Sequence, residues 1–277
     1  SLLTPLQKCT VEFCRIVDVH CPNENNPSFF CMVQLSDGYI VLADNNKKTC
    51  CLYDSSFNFI TSYILSGTPY SMCLIGENEV AVTMPGKKTI QLLSIRDHSI
   101  RETGTITTKY RCFDVDTSSS EEILASGPCG NLMSSERCYW SVITRNGKVK
   151  LHHEFGCQVT WYVYAALDSC KSRVYISTSG NNAVYCFGLK NGKQYFVYSS
   201  NDLKCPMGVS VDRDDNIYVL GCDSNNIHKL SPDGITLQVI TSGVPQKPRA
   251  ISFNYSRDQF CITNGSERSK LHYFVHK

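Results

Sequence analysis

The sequence predicts an all-β protein, a six-bladed β-propeller of four-stranded antiparallel blades. One observation is the stretch 206–241, where four short apolar segments alternate with Asp, Asn, Gly and Pro turns, a pattern typical of an antiparallel meander. The other is repetition, because the centre of the second strand recurs at intervals of 41, 42, 52, 43 and 43 residues. These centres are Val41, Val82, Leu124, Ile176, Val219 and Ile262. A period near this value indicates a propeller, since one such sheet needs copies of itself to cover both faces.

The repeated units follow one another along nearly all of the 277 residues, and the repeat therefore favours a single domain, 1–277. The predicted blades are 29–65, 70–106, 111–155, 162–199, 206–241 and 249–276. Asn146-Gly147 and Asn191-Gly192 stand at matching places in the third and fourth units, as hairpin turns. An insertion at 128–137, between two strands of the third unit, explains the one longer interval.

The last unit holds only three predicted strands, 249–253, 259–263 and 270–276. A strand-like segment, 10–19, precedes the first full unit and supplies the missing fourth strand most simply. This pairing would join the two chain ends in one sheet and leave no long open edge. The alternative is a loose N-terminal extension.

The fifth unit carries a more specific motif. It contains Pro206-x-Gly-Val-x-Val-Asp212, then Asp215-Asn-Ile-Tyr-Val219, then Asn226 and a Ser-Pro-Asp-Gly turn at 231–234. This motif resembles the NHL repeat, and the chain is similar to the six-bladed C-terminal domains of TRIM-NHL (tripartite motif) proteins. The resemblance covers almost the full chain and is diffuse in the second and third units. No RING or B-box pattern precedes the repeats, so we expect an isolated propeller.

The composition indicates in which compartment the protein resides and whether it binds a metal or cofactor. The net charge of +2 does not favour one class of partner over another. No apolar run is long enough to span a membrane. The sixteen cysteines are predicted to be reduced, mostly buried thiols of a cytoplasmic protein; disulfides of a secreted protein are the alternative. No Cys-x-x-Cys spacing occurs, so no metal or cofactor is predicted.

The predicted loops divide into two oppositely charged faces. We call the top face the one formed by the loops that lead into each blade and the loops between its second and third strands. In NHL propellers the resemblance implies that this face binds the ligand. Here it holds eleven positive and six negative residues, whereas the opposite, bottom face holds ten positive and fourteen negative. A basic surface attracts RNA or an acidic protein segment; the alternative is that these turn residues are simply solvated.

The predicted binding residues lie on the top face. One group follows the start of each blade and is expected to ring the channel mouth: Phe29, Tyr70, Arg111, Tyr162, Met207 and Arg249. The other group consists of exposed lysines: Lys47, Lys48, Lys87, Lys88, Lys109, Lys204 and Lys247. Aromatic rings beside arginines suit base stacking with phosphate contact and suit a protein hot spot equally well. The alternative is that the rings pack between blades.

Three functions remain open from the sequence. We predict a non-catalytic, monomeric module that binds single-stranded or stem-loop RNA. The alternative is a protein-interaction domain that recognises substrates for a TRIM-type E3 ubiquitin ligase. A propeller enzyme of the lactonase or lyase type is disfavoured, because no catalytic motif occurs and the seven histidines do not recur at the starts of the blades. His152 and His153 are adjacent and point to opposite faces of a strand, which disfavours a shared metal.

Overall fold

The computed structural model describes residues 10–22, 27–130, 136–158, 162–254 and 258–277. Over these residues it contains 24 β-strands and no helix. The strands form six four-stranded antiparallel sheets, so the predicted six-bladed propeller is confirmed. Within the described part of the chain, no helix is long and apolar enough to cross a membrane.

The first half of the chain forms three blades after the opening strand β1 (Val11–Asp18). Blade one consists of β2 (Phe29–Gln34), β3 (Ile40–Asp44), β4 (Thr49–Tyr53) and β5 (Phe59–Ile64). Blade two consists of β6 (Met72–Leu74), β7 (Glu79–Met84), β8 (Thr89–Arg96) and β9 (Ser99–Thr107). Blade three consists of β10 (Asp114–Ser119), β11 (Glu122–Pro128), β12 (Arg137–Thr144) and β13 (Val149–Gly156). The predicted insertion lies between β11 and β12, and its residues 131–135 are outside the described residues.

The second half of the chain forms the other three blades. Blade four consists of β14 (Val163–Leu167), β15 (Arg173–Thr178), β16 (Ala183–Gly188) and β17 (Gln194–Ser199). Blade five consists of β18 (Pro206–Val211), β19 (Ile217–Gly221), β20 (Asn226–Leu230) and β21 (Thr236–Ile240). Blade six consists of β22 (Pro248–Asn254), β23 (Gln259–Asn264), β24 (Lys270–His276) and β1.

The core lies between neighbouring blades. The first strands of successive blades contact one another around a central axis, and β22 of blade six contacts β2 of blade one. The second strand β3 is buried throughout, whereas the fourth strand β5 alternates between partly buried and exposed positions. Inner strands must be apolar on both faces because each is covered by two neighbouring blades.

The ring is closed by β1, as predicted. It pairs antiparallel with β24, with Val11 opposite His276 and Asp18 opposite Lys270. Val11 is buried in the apolar cluster between blades five and six, beside Phe274. Thr10 and Lys277 exchange backbone hydrogen bonds of 3.1 and 2.9 Å. The two ends of the described chain are therefore held side by side.

Blade three contains a disulfide between Cys138 and Cys157, so the prediction of reduced thiols is wrong for this pair. In the part of the chain that the structure describes, thirteen further cysteines are thiols, eight of them buried. Cys138 pairs with Phe155 across the β12–β13 ladder, which brings Cys157, just after β13, to a Cα–Cα distance of 6.2 Å. That distance suits a disulfide. The sequence alone does not reveal the pairing because it depends on how the strands align.

Candidate ligand-binding site

The central channel contains a cavity of about 540 Å³ that opens on the bottom face. The six innermost strands form its wall. Its rim includes Ser169, Lys171 and Arg213, which lie in the loops between the first and second strands of blades four and five. Apart from Ser71, which lies directly before β6, none of its described lining residues belongs to a top-face loop. The cavity is thus reached from the face opposite to the predicted binding face.

The top end of the channel is closed by an aromatic plug of four rings, Phe30, Tyr70, Phe113 and Tyr162. Tyr70 lies at its centre, with ring-centroid distances of 5.6 Å to Phe30, 5.1 Å to Phe113 and 6.1 Å to Tyr162. Most of these contacts are edge-to-face, the arrangement that aromatic quadrupoles favour. The rings pack against one another and separate the top surface from the cavity below.

Arg249 covers one side of the aromatic plug. Its guanidinium carbon lies 4.2 Å from the centre of the Phe30 ring and 5.9 Å from that of Tyr162. The Nε atom is buried without a hydrogen-bond partner among the described residues. Burial and the neighbouring Tyr162 raise the pKa of Tyr70, and Arg249 partly offsets this rise. The plug therefore holds a positive charge that no carboxylate of the described residues pairs with.

Of the residues predicted to ring the channel mouth, the structure brings Tyr70, Tyr162 and Arg249 together, whereas it buries two others. Phe29 is fully buried against Tyr53, with ring centroids 6.4 Å apart. Met207 is buried in the core between blades four and five. A β-bulge interrupts the pairing between residues 29 and 31, and another between residues 206 and 209. Because a bulge re-aims the side chains beside it, Phe30 takes the position that was predicted for Phe29.

In blade three the predicted Arg111 stays partly exposed at the edge, and Phe113 enters the plug. The carbonyl oxygen of Arg111 lies against Gly127, where a Cβ atom would collide with it. It also accepts a hydrogen bond from the Tyr139 hydroxyl at 3.4 Å. The backbone at Arg111 is therefore held against β11 and β12 of its own blade.

Six of the predicted cations form a continuous strip across blades one to three, which we call the basic strip. Its members are Lys47, Lys48, Lys87, Lys88, Lys109 and Arg111. The five lysines are exposed and Arg111 is partly exposed. Among the described residues, none of the six makes an ion pair. Lys109 lies over the Tyr110 ring, with its Nζ atom 4.7 Å from the ring centre.

Backbone hydrogen bonds fix the turns that carry the strip lysines, because they extend the ladders of blades one and two. The Lys48 carbonyl accepts from Leu65 at 2.8 Å, and the Lys88 carbonyl accepts from Thr108 at 2.9 Å, one residue before Lys109. The side chain of Lys87 passes beside Gly67, in the loop between blades one and two. The strip is thus part of the rigid scaffold rather than a set of independent loops.

The turn chemistry explains why these lysines point outward unopposed. Asp44 is buried, and its carboxylate accepts hydrogen bonds from the amides of Asn46 at 2.8 Å and Lys47 at 3.2 Å. Its charge is therefore directed into the turn. Lys48 and Lys88 occupy equivalent left-handed positions, with φ of 58° and 56°, at the ends of their turns.

The remaining predicted cations belong to blades five and six and differ from the strip. Lys247 Nζ lies 2.6 Å from Asp223 Oδ1, so its charge is balanced locally. Lys204 is exposed and makes no ion pair within the part of the chain that the structure describes. Most of the top-face cations that lack an ion pair among the described residues therefore lie over blades one to three, and the others are Lys204, Arg249 and Arg268.

Several acids counted on the bottom face serve the fold. Asp212 is buried and accepts from Asn216 and from the Tyr218 hydroxyl, and it lies 3.9 Å from Lys229 Nζ. Asp168 is also buried and accepts from the amide of Ser172 at 2.6 Å. These carboxylates hold turns together, so the bottom face is less acidic than the residue count suggests.

Asp114 lies in the cavity wall and binds blade three to blade four. Its carboxyl accepts hydrogen bonds from the hydroxyl of Ser71 and, at 2.7 Å, from the amide of Ala165. Burial raises the pKa of Asp114 to about 7, and these two hydrogen bonds act in the opposite direction. Both oxygens are thus occupied by the protein itself, which favours a structural role over proton transfer to a ligand.

A serine, a histidine and a glutamate lie together on the outer part of blade three. Ser141 Oγ is 2.8 Å from His152 Nδ1, and His152 Nε2 is 3.1 Å from Glu154 Oε1. Ser141 and His152 line a groove of about 260 Å³ between blades two and three. The backbone around Ser141 is paired with β11 on one side and β13 on the other, which leaves no amide pair for an oxyanion. His153 faces the other side of the strand, against Trp140, as predicted.

The fold and the candidate site together define a six-bladed β-propeller whose channel is plugged at the top. The top face of this propeller is basic, mainly on the side of blades one to three. No family model matches the chain, and no curated protein matches it. Solved structures do resemble it. Virginiamycin B lyase from Staphylococcus aureus matches with a TM-score of 0.65 and 12% identity, over 96% of this chain and 99% of that one.

Two further structures show the same likeness. A catalytically inactive variant of that lyase with quinupristin matches with a TM-score of 0.68 and 14% identity, over 95% of this chain and 99% of that one. The β-propeller domain of Cps50 (Swd1) from Myceliophteria thermophila matches with a TM-score of 0.63 and 10% identity, covering 89% and 83%. At these identities the likeness shows the propeller fold and nothing about function.

Proposed function

We propose that this protein is a non-catalytic binding module that takes single-stranded or looped RNA on its basic strip. The proposal depends on one observation, the six neighbouring cations of blades one to three that have no ion-pair partner among the described residues. RNA phosphates would occupy the positions that carboxylates do not fill. Binding of this kind gains affinity by releasing counterions from the phosphates, whatever the base sequence.

The rigidity of the strip supports an extended ligand. Lys48 is linked to Leu65, and Lys88 to Thr108, by backbone hydrogen bonds that extend the β4–β5 ladder of blade one and the β8–β9 ladder of blade two. The cations are therefore arranged before the ligand arrives, and little ordering is needed on binding. A strand of RNA crossing three blades would meet one lysine pair after another.

The aromatic plug adds little base stacking to this proposal. Tyr70 and Tyr162 are only partly exposed, and their neighbours Phe30 and Phe113 are buried. Stacking needs an open ring face, and these faces are used within the plug. We therefore expect phosphate contacts to dominate, with weak preference among RNA sequences.

A protein target is the second candidate. It is favoured by Arg249, whose guanidinium lies over Phe30 and Tyr162 at the centre of the top face. Arginine and tyrosine are enriched at the energetic centres of protein interfaces. This candidate places the ligand on the plug rather than on the strip, and recognition of substrates for a ubiquitin ligase would be one form of it.

Charge reversal on the strip distinguishes the two candidates. Binding of a fluorescent random-sequence single-stranded RNA is measured at several salt concentrations for wild type and for a four-site variant. The variant replaces four strip lysines by glutamate, namely Lys47, Lys48, Lys87 and Lys88. We expect binding to weaken and the salt slope to flatten by about 0.7 for each phosphate that the variant no longer neutralises.

The matched control reverses four lysines of the bottom face, so that the change in net charge is the same. These are Lys148, Lys171, Lys190 and Lys193. It should bind RNA nearly as wild type does. Absence of RNA binding by wild type at low salt, or equal weakening in both variants, would refute the RNA proposal. Salt-insensitive binding of a protein ligand that is abolished in Arg249→Ala and kept in the strip variant would support the second candidate.

A further inference from the structure

Two cysteines face each other where blade five begins, on the top face. Pro206 pairs with Gly221 across the β18–β19 ladder, which places Cys205 and Cys222 opposite one another at the next position. The Cys222 amide donates to the Cys205 carbonyl at 3.1 Å. The two Sγ atoms and a carboxylate oxygen of Asp223 all lie within 4.8 Å of one another. Cys205 is partly exposed, and Cys222 is buried beside it with 8% of its surface exposed.

The charges around this pair favour a thiolate at Cys222. A hydrogen bond from Cys205 lowers the pKa of Cys222; burial and Asp223 oppose this, and Lys247 and Arg249 support it. The same hydrogen bond raises the pKa of Cys205, which keeps the proton. Lys247 Nζ lies 2.6 Å from Asp223 Oδ1, so the ammonium group balances the carboxylate beside the thiols. One thiol is thus prepared as a nucleophile and the other as its partner.

A second close pair in the same protein lacks this environment. The Sγ atoms of Cys21, in the segment between β1 and β2, and of Cys51, in β4, are 3.8 Å apart. Burial, followed by the charge of Cys21, raises the pKa of Cys51 well above its usual value. A protonated, buried thiol is a poor nucleophile. Proximity is therefore shared by both pairs, whereas Lys247 and Arg249 lower the pKa of Cys222 and no cation contributes to the pKa of Cys51.

We propose that Cys205 and Cys222 form a reversible oxidation site, which a hydroperoxide converts to an intramolecular disulfide. The Cys222 thiolate attacks one peroxide oxygen, the O–O bond breaks, and protonation of the leaving oxygen gives water and a sulfenic acid. The Cys205 sulfur then attacks the Cys222 sulfur and a second water leaves. Two thiols and one hydrogen peroxide thus give one disulfide and two waters.

The same groups are less suited to a structural metal. Lys247 already occupies one oxygen of Asp223, and two thiols fall short of the four ligands of a closed zinc site. A chelator is nevertheless included in the experiment so that no bound metal shields the thiols.

The experiment treats the full reduced chain with increasing hydrogen peroxide, blocks the remaining thiols with N-ethylmaleimide and identifies linked peptides by mass spectrometry. The Cys205–Cys222 peptide should form at doses that leave Cys21 and Cys51 alkylated, and dithiothreitol should reverse it. In Cys205→Ser the sulfenic acid has no partner, so dimedone should label Cys222. Lys247→Gln should slow the reaction several-fold.

Lys204→Gln serves as the matched control, because Lys204 is an exposed neighbour without an ion pair among the described residues. Its rate of disulfide formation should equal that of wild type. The proposal is overturned if the Cys205–Cys222 peptide forms no earlier than a Cys21–Cys51 peptide. It is also overturned if dimedone fails to label Cys222 in Cys205→Ser.

Discussion

The carboxyl of Asp114 in blade three accepts a hydrogen bond of 2.7 Å from the backbone amide of Ala165 in blade four. The contact joins the innermost strands of neighbouring blades beside the cavity. With burial raising the pKa of Asp114 to about 7, this carboxyl keeps its proton in the folded protein over a range where an exposed aspartate would not. Stability and pH are therefore linked at this position.

The Asp114→Asn variant tests that link. In the unfolded chain Asp114 loses its proton near pH 4, whereas in the folded chain it loses it near pH 7. The stabilisation is complete below the unfolded pKa and is lost as the pH rises through the folded pKa. Between these values, the free energy of unfolding of wild type minus that of the variant should fall by up to about 1.4 kcal/mol per pH unit.

Urea unfolding of both proteins at several pH values between 4.5 and 8 measures this difference. Taking the difference cancels the other titrating groups, because the two chains share them. A difference that stays flat over this range would contradict the raised pKa.

Removal of residues 1–18 should destabilise the propeller, because β1 is the fourth strand of blade six. Its removal exposes the edge of β24 and part of the cluster around Phe274. We expect a destabilisation of at least about 3 kcal/mol, equivalent to roughly 6–12 °C in Tm. Thermal unfolding followed by circular dichroism provides the measurement, and an unchanged Tm would contradict closure by β1.

Two substitutions within β1 provide a sharper control. Val11 is 3% exposed and Ile16 is 49% exposed on the same strand. Val11→Asp buries a carboxyl group and should lower the Tm clearly, whereas Ile16→Asp places it in solvent and should change little. Equal effects would mean that β1 does not contribute its buried side to the core.

Lys229→Met should destabilise blade five. Lys229 is buried, and its ammonium group lies 3.9 Å from Asp212 Oδ2 and 5.4 Å from the Tyr218 ring centre. Removing it leaves the buried Asp212 charge without its cation, which typically costs about 3–5 kcal/mol. Lys193→Met, an exposed change elsewhere on the bottom face, is the control for urea unfolding. A Lys229 variant as stable as this control would contradict the assigned role.

Ser141 should not behave as a catalytic nucleophile despite its 2.8 Å contact with His152. The amides on both sides of it are used in the β11–β12 and β12–β13 ladders, so an oxyanion would find no pair of donors. Incubation with a fluorophosphonate probe should give no labelling above that of Ser141→Ala. Labelling of wild type that disappears in Ser141→Ala would instead support a hydrolase.

The fold could be predicted from the sequence because its signals are local and repeated. Each four-stranded unit carries its own turns, and the missing strand of the last unit identified β1 as its partner. The basic strip was also visible, since Lys47-Lys48 and Lys87-Lys88 occupy the same turn of successive blades. Repetition of a local pattern fixes the position of every copy.

The remaining features of the candidate site and the cysteine pairs depend on how neighbouring strands align. The sequence does not reveal that alignment. Bulges at the starts of β2 and β18 place Phe30 in the plug in place of Phe29 and bury Met207. The channel therefore closes at the top and opens at the bottom. The Cys138–Cys157 disulfide and the Cys205–Cys222 pair likewise require the ladder register. For the Cys205–Cys222 pair, the sequence did offer a signal. The two cysteines flank one predicted hairpin, because Cys205 stands just before its first strand and Cys222 just after its second.

The joining of Thr10 and Lys277 at one end of the β1–β24 pair has a mechanical consequence. Because these strands are antiparallel, a force pulling the two chain ends apart acts across the hydrogen bonds, starting at Thr10 and Lys277. The hydrogen bonds between β1 and β24 would break one after another rather than all together. Tension between segments attached at the two ends would therefore open blade six first and leave the other five sheets intact at the outset.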